Sequence, residues 1–166
     1  MKLTFTCLFL IFFISVTLPQ NDEMKGKKSI NFILEDMDGN KVELKNELGK
    51  GPVLLSFWAT WCKPCAEEMV QLNKIYNELH PDGFKMFAIA IDNEKSVSRV
   101  IPYVKSRGYK FPVLLDTNSE VARKYYAHAV PFSVLIDKEG KINYTHMGYV
   151  PGDEIKLKKL ILDMMK

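Results

Sequence analysis

Two rhythms of apolar residues run through this chain, and each predicts a different kind of element. Val53–Trp58 (VLLSFW) is apolar at every position except Ser56, and residues 84–91 (FKMFAIAI) are nearly so. Uninterrupted runs of this length suit strands buried on both faces of a sheet. Residues 30–35 and 41–44 flank Met37-Asp38-Gly39-Asn40, and Asp-Gly between β-prone segments predicts a hairpin. Residues 111–115, Phe132–Ile136 and Ile142–Met147 read as further strands, the last two joined by a turn at Lys138-Glu139-Gly140.

The second rhythm is helical. Cys65, Glu68, Leu72, Ile75 and Leu79 recur at alternating three and four spacing, predicting a helix from near Lys63 to about Leu79 whose inward stripe carries one carboxylate. Val97, Val100, Ile101 and Val104 mark a second helix ending near Gly108. A third reaches Tyr126, with Asn118 or Ser119 as its expected cap. The last begins at Asp153, with Leu157, Leu160, Ile161 and Met164 on one side and Lys156, Lys158 and Lys159 facing water. Strands alternating with helices imply an α/β domain with one central sheet.

A length of 166 residues and 47% hydrophobic residues suit a single globular unit with an ordinary core. The net charge of +3, with lysines scattered rather than clustered, gives no dense basic stripe, so nucleic acid is not an expected partner. Residues 3–18 (LTFTCLFLIFFISVTL) carry no charge and follow Lys2, the pattern of a secretory signal, and the run is shorter than a spanning helix needs. Residues 1–20 are therefore read as a signal peptide, with an uncleaved N-terminal membrane anchor as the alternative. Residues 21–29 read as a linker and 30–166 as the folded domain. Cys7 belongs to the apolar segment and is read as a small hydrophobe.

The chemistry lies at the end of the first buried strand, where Trp58-Ala59-Thr60-Trp61-Cys62-Lys63-Pro64-Cys65 leads straight into a helical pattern. Cys-x-x-Cys at a strand-to-helix junction puts Cys62 at a helix N-terminus, where unpaired N–H groups and the helix dipole favour a thiolate. Lys63 adds positive charge, and Pro64 falls in the first turn, where no N–H is needed. Cys62 is thus the expected nucleophile, and Cys65, one turn further in, the less exposed resolving thiol. Glu68, held partly out of water, is expected to have a raised pKa and to exchange protons with Cys65, while its neighbour Glu67 faces solvent. Two further readings of the pair remain at this stage, half of a zinc site and a static disulfide. The first lacks a second ligand pair, and the second gains little from so short a loop. His80, His128 and His146 read as solvated groups, and Trp61 as a cover for the thiols.

The segment 57–68 (FWATWCKPCAEE), Val130-Pro131 and residues 135–141 (LIDKEGK) together resemble the extracytoplasmic thioredoxin-like proteins of the TlpA/ResA/DsbE group. The resemblance covers roughly residues 30 to 166. It implies a thioredoxin fold, a central mixed sheet flanked by helices, with an N-terminal β-hairpin and a central insertion. It implies thiol–disulfide exchange by Cys62 and Cys65 as a redox-active disulfide, Pro131 as a cis-proline, Glu68 as the acid that tunes the site, and a substrate groove formed by Trp61, Lys63, Pro64, Val130 and Phe132.

The implied partners are disulfide-containing exported proteins, apocytochrome c among them, and a membrane thiol carrier as electron donor, in a periplasm or cell envelope. No metal and no cofactor are called for. Three departures from the group stand out: Ser56 where cytosolic thioredoxins have a buried Asp, Phe132 after the proline where Thr is common, and Tyr125-Tyr126-Ala127 where Tyr-Gly-Val is usual. The first favours Glu68 as the proton handler, and the other two suggest a bulkier, more apolar groove. The leading function is an exported protein-disulfide reductase. A dithiol oxidase is its alternative, and a thiol peroxidase or copper-binding protein stands further off.

Overall fold

The structure, a computed structural model, describes residues 24–166. The expected signal or anchor over 1–20, Cys7 included, and the first residues of the expected linker lie outside the described residues. The chain builds one seven-stranded sheet in the order β2-β1-β5-β4-β3-β6-β7. β1 (Ile33–Asp36) and β2 (Lys41–Glu43) form the hairpin, turning at Gly39, whose φ of 84° is a region that glycine enters without a Cβ clash. Asp36 fixes the turn by accepting hydrogen bonds from the Asp38 and Asn40 N–H groups at 2.8 Å each.

β3 (Val53–Trp58) is central, parallel to β4 (Lys85–Ala90) and antiparallel to β6 (Phe132–Ile136), and that position is why every one of its residues is buried. β5 (Val113–Leu115) runs parallel to β4, and β7 (Ile142–Met147) pairs antiparallel with β6 at the sheet edge.

The period of two along β3 divides the core. Leu54 and Trp58 pack under α1 (Lys63–Leu79), α2 (Val100–Arg107) and α4 (Asp153–Met164), which contribute Met69, Leu72, Val100, Val104, Leu157 and Ile161. Val53, Leu55 and Phe57 point the other way, toward α3 (Glu120–Lys124) and the hairpin side, where they meet Val121, Tyr125, Phe132 and Val134. Each such large apolar side chain, fully removed from water, contributes about 1.5–3 kcal/mol. The unit α2-β5-α3 connects β4 to β6.

Two details differ from the sequence reading. Residues 24–29, expected to be linker, lie against the edge of β7, with an isolated bridge between Lys28 and Lys141. Gly26 N–H donates to Ile142 O at 2.8 Å, Ile142 N–H to Lys27 O at 2.9 Å and Ser29 N–H to Gly140 O at 2.8 Å, while the Met24 side chain is buried. The cause is the open edge of β7, whose backbone groups need partners.

Asn118 shares the cap of α3, its Oδ1 accepting the Glu120 N–H at 3.0 Å, with Asp116, just beyond β5. The Asp116 carboxylate, 1% exposed, accepts the Val121 N–H at 3.2 Å and the Ala122 N–H at 2.8 Å. The helix also stops at Lys124, short of the expected Tyr126, whose φ of 56° is left-handed and ends it. Asp116→Ala would leave two buried donors unpaired, so it is expected to lower stability by about 2–3 kcal/mol in urea unfolding.

Candidate active site

The turn from β3 into α1 is clamped from beneath. Asp92, fully buried just past β4, takes the Thr60 N–H on Oδ2 at 2.8 Å and the Thr60 hydroxyl on Oδ1 at 2.6 Å. Cys62 N–H donates to Ala59 O at 3.1 Å, completing the turn. Cys62 then caps α1 in extended conformation (φ −88°, ψ 105°), and its Sγ accepts the Cys65 N–H at 3.2 Å. This sulfur stands where a cap oxygen commonly does, receiving an amide that the helix leaves unpaired.

Cys62 and Cys65 are joined as a disulfide with Cα atoms 5.3 Å apart. The two differ in access: Cys62 is 6% exposed and Cys65 0%. Lys63 and Pro64 are exposed beside them. Trp61, expected to cover the sulfurs, is instead 63% exposed, a wide apolar face turned to solvent.

The second wall comes from the start of β6. The Val130–Pro131 peptide bond is cis, and Val130 O lies 3.6 Å from Cys62 Sγ. Gly148 N–H donates to Pro131 O at 2.8 Å, bringing the end of β7 alongside. Phe132, expected in the substrate groove, is 1% exposed and packs on Phe57 with ring centres 6.3 Å apart. Strand alternation explains the correction, because the residue after Pro131 points to the hairpin side of the sheet and the next, Ser133, points back under the cysteines. The exposed apolar surface at this end comes from Trp61, Met147 and Val150.

Beneath the disulfide lies Glu68, 4% exposed. Its Oε1 accepts the Ser133 hydroxyl at 3.1 Å, and its Oε2 has no protein partner among the described residues. Burial pushes its pKa up to about 7; the Asp153 carboxylate adds to the rise and the Ser133 hydrogen bond opposes it. Ser56, opposite Ser133 in the β3–β6 register, is likewise buried, its hydroxyl unpartnered among the described residues. Glu68 is thus a buried acid one helical turn beyond Cys65.

Sequence reasoning missed Asp92, signalled only by an acid directly after a buried strand. It also missed His146, read as solvated, whose Nε2 lies 3.1 Å from Asp153 Oδ2 and whose side chain is 20% exposed.

The redoxin family model matches residues 21–161. The chain belongs to the redoxin family. This redoxin is 42% identical over 117 residues to the thiol-disulfide oxidoreductase ResA of Bacillus thuringiensis subsp. konkukian (strain 97-27), covering 70% of this chain and 66% of that protein, so it spans about two thirds of that relative's length. It is 36% identical over 124 residues to ResA of Halalkalibacterium halodurans, covering 74% of this chain and 68% of the relative.

Among solved structures, a thiol:disulfide interchange protein DsbE from Chlorobium tepidum superposes with a TM-score of 0.79 at 30% identity, over 86% of this chain and 98% of that one. The redoxin is thus a member of the ResA-like thiol-disulfide oxidoreductase family, and its fold is the expected thioredoxin fold with an N-terminal hairpin.

Proposed function

We propose that this chain works as an exported protein-disulfide reductase through a Cys62/Cys65 dithiol. In the reduced enzyme the Cys62 thiolate attacks one sulfur of a substrate disulfide, forming a mixed disulfide and releasing the first substrate thiolate. The Glu68 carboxylate takes the proton of the Cys65 thiol. The Cys65 sulfur then attacks Cys62 Sγ, closing the Cys62–Cys65 disulfide and expelling the second substrate thiolate. Two electrons have passed to the substrate, and a thiol donor at the membrane returns them.

An extended substrate segment lies along Val130 and cis-Pro131, whose backbone runs beside Cys62, with Trp61, Lys63, Pro64, Met147 and Val150 as the surrounding surface. Export is supported by the uncharged run at residues 3–18 behind Lys2, and the substrates are disulfide-bearing exported proteins, apocytochrome c among them.

The observation that carries this reading is the asymmetry of the pair: an outer sulfur held by a helix-terminal amide, an inner one without access to solvent, and a buried acid near neutrality beneath them. The test is the reduction potential, measured by equilibrating the pair with glutathione or dithiothreitol buffers. A value near that of thioredoxin, about −270 mV, is expected; one near about −120 mV would instead assign the oxidase direction.

A further inference from the structure

Glu68 opens onto a narrow cavity with about 10 Å³ available to the centre of a water molecule, the space that one water needs. Every packed element contributes a polar group to it. β6 supplies Ser133, β7 supplies Tyr144 and His146, the following loop supplies Tyr149, and α4 supplies Asp153 and Glu154. The tyrosines carry no charge near neutral pH, since burial first and the nearby carboxylates next push both up to about 12.

Three chargeable groups then face Glu68. The Glu154 carboxylate is already engaged, accepting the Tyr149 hydroxyl and the Gly152 N–H at 2.9 Å each. His146 and Asp153 remain, paired across the β7–α4 gap at 3.1 Å, with the Val150 N–H at 2.9 Å on the same Asp153 oxygen and Lys156 adding positive charge on the next turn.

We propose that His146 and Asp153 act together as positioning residues for Glu68, the net charge of the pair setting the pH at which Glu68 accepts the proton that Cys65 gives up. The inference rests on the role given to Glu68 above. Asp153 presents a negative charge to a buried acid and so favours its protonated form. His146 offsets that charge through its hydrogen bond to the Asp153 carboxylate. Glu68 Oε2, with no protein partner among the described residues, leaves that acid free to respond to the cavity's field. The pair is also the partly exposed rim of the cavity, with side chains 20% and 28% exposed, so it stands between solvent and a group that solvent scarcely reaches.

The test reads Glu68 directly, by carbon NMR of its carboxyl group in the full-length oxidised protein across pH. Asp153→Asn keeps an acceptor for the Val150 N–H and removes the charge, so the Glu68 midpoint is expected to fall by about half a unit to one unit. His146→Leu is expected to move it the opposite way, and Glu154→Gln to leave it in place. A folded Asp153→Asn protein with an unmoved or raised midpoint would overturn the proposal. So would His146→Leu moving it in the same direction as Asp153→Asn, or Glu154→Gln moving it as far as Asp153→Asn does. Because the readout is the carboxyl carbon, failure of the proposed thiol chemistry would show separately, as exchange that is absent while Glu68 still shifts.

Discussion

Cys65→Ala is expected to convert the protein into a covalent trap: Cys62 still attacks, nothing resolves the adduct, and turnover falls to background while disulfide-linked complexes accumulate. The substitution spares the residue-65 amide, so the N–H that Cys62 Sγ accepts at 3.2 Å is retained and the outer sulfur keeps its helix-terminal setting. What is lost is the inner sulfur, which has no access to solvent and so reacts only with its neighbour. The adducts should dissolve on addition of dithiothreitol and be absent from Cys62→Ala, and mass spectrometry of the released chains would name the substrates. Adducts forming through Cys65 in a Cys62→Ala protein, with none in Cys65→Ala, would reverse the assigned order.

The second large effect belongs to Glu68. Its folded pKa of about 7 lies above the value of 4.5 for a free glutamate, because burial disfavours the carboxylate. The folded state therefore binds more protons than the unfolded state between these values, and stability falls as pH rises through that window. The contribution is complete below about 4.5 and gone above about 7. Glu68→Gln keeps a neutral group of the same shape at every pH. It is expected to match the parent at pH 4 and to exceed it by about 3 kcal/mol above pH 8, measured by urea unfolding of the oxidised protein. Exchange near pH 7 should meanwhile slow by about a hundredfold, the usual effect of removing a positioned proton acceptor. A stability difference that stays constant from pH 4 to pH 8 would show that Glu68 is not a buried titrating acid.

The fold was legible because burial writes itself into periodicity. VLLSFW could only be a central strand, and the three and four spacing from Cys65 to Leu79 placed Glu68 on the inner face of α1 beside a cysteine. What remained illegible was side-chain pairing across distance. Asp116 caps a helix from the end of the preceding strand, Asp92 holds Thr60 from 32 residues away, and His146 meets Asp153 from a different element. Such polar partners obey no period.

Phe132 leaves the groove for a simpler reason. The alternation that marks β6 as a strand also assigns Phe132 and Ser133 to opposite faces, and with Glu68 on the cysteine side only Ser133 could share it. Met24 is buried against the fold although a hydrophobe inside a polar, lysine-rich stretch gives no warning that a sheet edge lies ready to receive it.

Where the backbone is stitched onto β7 also fixes how the domain can be held. Lys27 and Ser29 meet the strand around Gly140 and Ile142, the end where Val53 pairs with Ile136, whereas the cysteines and Pro131 sit at the other, beside Trp58 and Phe132. The five residues of β6 separate the two ends by roughly 13–16 Å. The segment that enters the fold at Met24 therefore joins the domain at its base, and the sulfurs lie at the opposite tip.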